Sequence, residues 1–218
     1  MLKNLKAQNV APLGLLVLSS LLLAVILTYG VDELPELKHV IAELGGLAAI
    51  TALSVLLTYL LPANMKHCLI YLRFSNALPA HRFCRLMAFD PRVDQLRLKA
   101  LLPDLPTLAD EGTAQNIYWY RHIYQPVRDA ELVKGVHKAF LLYRDTATAL
   151  LVIALLLNVS NLAEAWFLFQ SMQVSMGFLI VIYVEALLMG LAAHNCGNRF
   201  VTTAVTEFVM QHCSVPSD

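Results

Sequence analysis

The sequence predicts an all-α membrane protein, with four transmembrane helices and a mainly helical cytosolic insert between the second and third. Three observations predict it. Apolar residues make up 58% of the 218, and mean hydropathy is +0.60, above the range of an ordinary soluble chain. Four runs approach the roughly 20 apolar residues that a helix needs to cross a bilayer. Of the 16 Lys and Arg residues, all but Lys38 fall on segments that four crossings would place on one side.

The first run, Ala11–Gly30, carries no charge. Its length, and the lack of an A-x-A site after it, fit an uncleaved anchor rather than a signal peptide. Ile41–Leu61 is the second run, with Glu43 near one end. The third, Ala139–Asn158, has a short core at Ala147–Leu157 and reaches past Arg144 and Asp145; Arg144 is expected to snorkel to the headgroups. Met172–Ala193 is the fourth, with Glu185 inside it. Four spans put both termini on one face. Only Lys38 is left for the opposite side, in a short acidic loop with Asp32, Glu33 and Glu36, so the cation-rich face is assigned to the cytoplasm. Cys68, Cys84, Cys196 and Cys213 then lie on the reducing side, with no disulfide framework expected.

The segment boundaries that follow are 1–61 for an N-terminal hairpin, 62–138 for the cytosolic domain, 139–193 for a C-terminal hairpin and 194–218 for a cytosolic helix. Within the insert, Pro62 ends the second span, and KHCLIYLRF at 66–74 fits either a strand or a continued helix. Asp90-Pro91 reads as an N-cap with Pro at the first helical position. That helix is expected to run to about Leu102, with Leu96 and Ala100 buried and Arg92, Asp94 and Lys99 outside. Thr113 is expected to cap QNIYWYRHIY, which Pro126 ends before opening a long helix into the third span.

Four groups of residues are candidates for function. Arg82, Arg85, Arg92, Arg97 and Lys99 face two acids, Asp90 and Asp94, in the same stretch. They fit either attraction to anionic lipid or a site for a nucleotide, an oligonucleotide or another phosphorylated ligand. Trp119, Tyr120 and Tyr124 fit either a small core or stacking on the bases of such a ligand. A carboxylate inside a span is costly, so Glu185 fits either a cation-selective pore ring or a pairing with Arg144 or a Ser or Thr of another helix. The pairs His81 with Cys84 and His194 with Cys196 lack the usual zinc spacing, so no metal and no cofactor are expected. None of the common nucleotide-binding, serine-hydrolase or zinc-protease motifs occurs, so nothing in the sequence supports an enzyme.

The string LPAHRFCRLMAFDPRVDQL, followed by QNIYWYRHIY and by FLLYRD before a span, resembles in layout the small four-span membrane components of bacterial phage-defence operons, such as the Hailong and Kiwa systems. The resemblance implies a homo-oligomeric membrane effector or sensor, a tetramer being favoured. Its cytosolic trigger would be a short DNA oligomer in the Hailong-like case and a DNA-binding partner protein in the Kiwa-like case. The expected function is an ion channel-like effector gated from the cytoplasm by an anionic ligand. A non-conducting scaffold that recruits a partner, and a small transporter, are the alternatives.

Overall fold

The computed structural model describes residues 2–31, 46–88, 90–103, 111–167 and 174–213. The acidic loop with Lys38, the start of the second predicted span with Glu43, Pro106, Gln173, the last five residues and the side chains of Thr51 and Cys213 lie outside them. Every regular element among the described residues is helical. The helices are α1 (Leu2–Gln8), α2 (Val10–Tyr29), α3 (Gly46–Leu60), α4 (Ala63–Tyr71), α5 (Phe83–Ala88), α6 (Gln95–Leu101), α7 (Gly112–Tyr118), α8 (Glu131–Phe167) and α9 (Met176–Cys213). Three stretches are long and apolar enough to cross a membrane: Leu5–Tyr29, Glu131–Leu162 and Met176–His212. A fourth candidate is broken: Ala52–Leu60 and Ala63–Tyr71 meet at 86°. Pro62, which cannot donate to the helix ladder, sits at that break.

The chain divides into two compact units. The first comprises Met1–Lys66 and Leu141–Leu191; the second comprises His67–Phe140 and Ala192–Asp218. Helices α8 and α9 contribute residues to both without interruption.

In the first unit, α2 packs on α3 and closes at Gly30, whose φ of 92° suits glycine and whose N–H donates to Ile26. The buried stripe of α2 is Leu13, Gly14, Val17, Ser20 and Ala24. Ala149, Leu150 and Ala154 from α8 and Phe178, Ile182 and Ala186 from α9 complete that core. Small side chains at such contacts let helices approach closely where no hydrophobic drive separates lipid from protein. The opposite faces stay apolar: Leu27 and Leu56 on α2 and α3, and Leu162 and Leu187 on α8 and α9, are each more than half exposed. Arg144 is buried at 4% exposure, and Asp145 accepts from its Nε at 3.0 Å and its Nη2 at 2.8 Å.

The second unit has its own core, in which Phe83, Leu98, Ile123, Val133, Val201 and Val205 are fully enclosed. Residues 66–71 are helical, so the open choice at KHCLIYLRF resolves to helix up to Tyr71. Leu72 then turns at φ 49°, and Arg73 N–H donates back to Cys68 in a Schellman-type closure. The helix expected from Asp90 begins at Gln95 instead. The Asp90 carboxylate accepts from the Arg92 N–H at 3.0 Å, which fixes a turn, and Asp94 is the true cap, accepting from Leu96 and Arg97 N–H. The delayed start changes the buried face: Leu98 and Leu102 are inside, while Leu96 is 82% exposed and Ala100 also faces out. α7 starts one residue before Thr113, with Glu111 at its cap position, and does not stop at Pro126. It widens into a π-helix over Trp119–Tyr124 and a further turn at Gln125–Val127. The wider turn lets Gln125 N–H reach Tyr120 and takes the chain through the missing Pro126 donor. The long helix therefore begins at Glu131 and not at Pro126, and it runs on to Phe167.

Candidate functional site

The cationic residues of the second unit fall into two groups, and a local carboxylate engages one of them. Asp90 holds Arg92 through Nε at 2.9 Å and Nη2 at 2.6 Å, and that Nη2 also donates to the Thr202 hydroxyl at 2.9 Å. The bond from Arg92 holds the Asp90 carboxyl well below the usual carboxylate range. Arg199 and Asn198 of α9 line the same open cleft of about 380 Å³ with Leu86 and Pro91. Arg97 pairs with Asp94 at 3.1 Å, and Lys99 is exposed two residues later. Arg92 and Arg97 are thus each engaged by a neighbouring carboxylate.

Arg82 is different. It follows the single turn Pro79–Arg82, which His81 caps by accepting the Leu78 N–H at 3.1 Å. Its guanidinium lies 5.1 Å from the centre of the Tyr71 ring. Nε and Nη2 are both buried and have no hydrogen-bond partner among the described residues. Among the described residues, the groups that act on it are Arg73 and Arg85, with the Tyr71 phenol, and no carboxylate does. Burial, and then the Arg73 charge, push its pKa below the ordinary arginine range. A guanidinium has five donors and is always charged, so buried donors without acceptors mark a place that wants an anion. Sequence reasoning found Arg82 and Arg85 but missed Arg73 and Tyr71, because α4 ends at Tyr71 and returns the chain to the 3₁₀ turn, which the pattern at 66–74 did not reveal.

The aromatic candidates need correcting. Trp119 and Tyr124 are buried at 4% and 7% exposure. Their rings stack on each other at 5.3 Å, Phe200 meets both edge-on, and Trp119 Nε1 donates to Val201. Tyr124 also shares a hydrogen bond with His137 at 3.2 Å. Both faces of these rings serve the core, so neither residue is open to a base. Tyr120 remains exposed.

Glu185, in the first unit, is buried at 8% exposure with Ala186 and Ile182 around it. Neither carboxylate oxygen has a hydrogen bond of ordinary geometry. The hydroxyl of Ser20, itself buried on α2, acts on this carboxyl. Among the described residues no three His, Cys, Asp or Glu side chains gather as a metal site would require. Comparison of the chain with protein-family models, with curated proteins and with solved structures finds no match.

One expected result tests the Asp90 turn. A depressed carboxylate contributes stability above its unfolded pKa of about 3.9 and loses it as pH falls through its lower folded value. Asp90→Asn should therefore cost about 1–2 kcal/mol at pH 7, where charge-assisted bonds to a partly exposed arginine are lost. It should also flatten the fall in melting temperature of the detergent-solubilised protein between pH 5 and pH 3.

Proposed function

We propose that this chain is an oligomeric bacterial inner-membrane effector, both termini in the cytoplasm, whose second unit takes an anionic ligand of the nucleotide or oligonucleotide class. Arg82 carries this reading: a guanidinium with two buried, unpartnered donors, surrounded by Arg73 and Arg85. A phosphodiester supplies what those donors lack, and arginine's planar fork matches it. Membrane residence is supported by three apolar helices of spanning length and by apolar side chains exposed along all four long helices. The layout resemblance to phage-defence components supports the same class, with a tetramer as the assembly and a cytosolic DNA-binding protein as the other possible trigger.

The response to the ligand would travel along α8 and α9, the two helices shared by both units. Ion conduction is the favoured output, and Glu185 is the residue placed to bias it toward cations. A second reading, a sensor that conducts nothing, is favoured by one observation: Glu185 is enclosed by the packing of its own unit beside Ser20 rather than left exposed for a lumen.

Binding of a fluorescent short oligodeoxynucleotide to the full chain in neutral detergent tests the ligand site. Arg82→Ala and Arg85→Ala should each weaken it about tenfold or more and reduce its salt slope, whereas Arg97→Ala, whose cation Asp94 already holds, should change it little. Equal losses in all three would reduce the site to diffuse charge. For the output, cation flux from liposomes that is gated by the ligand in wild type and lost in Glu185→Gln supports conduction. Intact gradients in both support the sensor.

A further inference from the structure

The first unit holds a buried charge cluster that the proposed function does not use. Lys66, at the start of α4, is 5% exposed; Arg144 of α8 is 4% exposed. Both converge on one oxygen: Asp145 Oδ1 accepts from Lys66 Nζ at 3.3 Å and from Arg144 Nε at 3.0 Å and Nη2 at 2.8 Å. Lys6 of α1 adds its charge to Lys66 and lies 5.6 Å from the centre of the Tyr59 ring. Three cations thus face one carboxylate among the described residues. The lysine ammonium has three N–H donors, and Asp145 accepts from one of them.

Beside this cluster is a cavity of about 40 Å³, lined by Lys6, Asn9, Thr58, Tyr59, Lys66 and Asp145 together with apolar side chains. It exceeds the roughly 10–15 Å³ that an ordered water needs. The wall carries two lysine ammonium groups against one carboxylate, whose Oδ1 is already shared by Lys66 and Arg144, and this net positive charge suits an oxyanion and not a cation. Around it stand exposed apolar side chains, Leu56, Tyr59 and Leu60 of α3 and Val10 of α2. An aromatic with exposed aliphatics beside lysines is the composition of a surface at headgroup depth.

We infer that Lys6, Lys66 and the Arg144–Asp145 pair form a phosphate-binding site whose ligand is the phosphate of an anionic phospholipid headgroup. Lys66 supplies the buried donors, Lys6 the charge at the rim, and Asp145 keeps Lys66 and Arg144 in place when the site is empty. The same chemistry would accept free phosphate, so the source has to be separated by experiment. The site lies wholly in the first unit and stands or falls independently of nucleotide binding.

The test is thermal unfolding of the full-length protein, delipidated in neutral detergent, titrated with dioleoylphosphatidylglycerol, with dioleoylphosphatidylcholine and with inorganic phosphate. The expected result is a saturable rise in melting temperature with phosphatidylglycerol, at least tenfold less sensitive to phosphatidylcholine or to phosphate. Lys6→Gln, an exposed change that leaves the Asp145 cluster intact, should raise the phosphatidylglycerol concentration needed by about tenfold, and Lys66→Gln by more. A Lys6-dependent rise with inorganic phosphate alone supports the site and assigns it to the free anion. Stabilisation that is equal for the two lipids, or that Lys6→Gln leaves unchanged, overturns the inference. That reading holds even if Lys66→Gln fails to fold.

Discussion

Asp145→Asn lowers the stability of the protein by about 3 kcal/mol, because it leaves Lys66 and Arg144 buried without their shared carboxylate. Breaking a buried ion pair by removing one partner costs about 3–5 kcal/mol, and the 15% exposure of the Asp145 side chain places it at the lower end. For a chain of this size that is a fall of about 6–12 °C in melting temperature. The loss should be partly recovered in Asp145→Asn with Lys66→Met, which removes the cation that the first change stranded. Additive losses in the double variant would mean that the two residues do not act on each other. The comparison is made by thermal unfolding in detergent at one lipid content, since bound anionic lipid would mask part of the effect.

Gly197→Ala is the second large effect, and its sign is informative. In an exposed helix, alanine in place of glycine stabilises by about 0.5–1 kcal/mol. At position 197 a β-carbon would stand 1.8 Å from the Tyr71 hydroxyl and 2.9 Å from the Phe140 ring. Two aromatic side chains would have to shift, and overpacking of this kind costs about 1–3 kcal/mol. Gly135 of α8 has nothing within 4 Å of the same atom. Gly135→Ala should therefore stabilise where Gly197→Ala destabilises, and Tyr71→Phe, which removes the closest atom, should relieve part of the second loss. Equal signs at the two glycines would show that α4 and α9 do not approach as described.

The apolar runs were legible because a membrane helix writes its length directly into the sequence; α2 and its Gly30 end are read without ambiguity. The break at Pro62 was legible for the same reason that proline breaks any helix. What failed was local competition. Asp90 has the form of a cap, yet its carboxylate found Arg92 first, and Asp94 took the role four residues later. That shift turned Leu96 outward and Leu98 inward. The aromatic helix reads as either core or stacking surface from its composition. A π-turn brings Trp119 against Tyr124 inside the core, and nothing in QNIYWYRHIY marks that wider turn except the proline that follows. The contact of Lys66 with Asp145 spans 79 positions and has no signature in the sequence, so the carboxylate that Lys66 shares with Arg144 is visible only in the fold. The candidate site was half visible. Arg82 and Arg85 stood out by density of charge, while Arg73 and Tyr71 joined them through the fold.

Every proposed role of the second unit depends on its taking a phosphate-bearing ligand at Arg82. The most direct measurement is equilibrium binding of a short oligodeoxynucleotide to the wild-type chain in neutral detergent, at 50 mM and at 200 mM salt, using roughly the range over which phosphate contacts lose their affinity. Saturable binding at the lower concentration, falling linearly on a logarithmic salt scale and abolished by Arg82→Glu, is the predicted result. Absence of binding at the lower concentration, or binding that Arg82→Glu leaves intact, contradicts it.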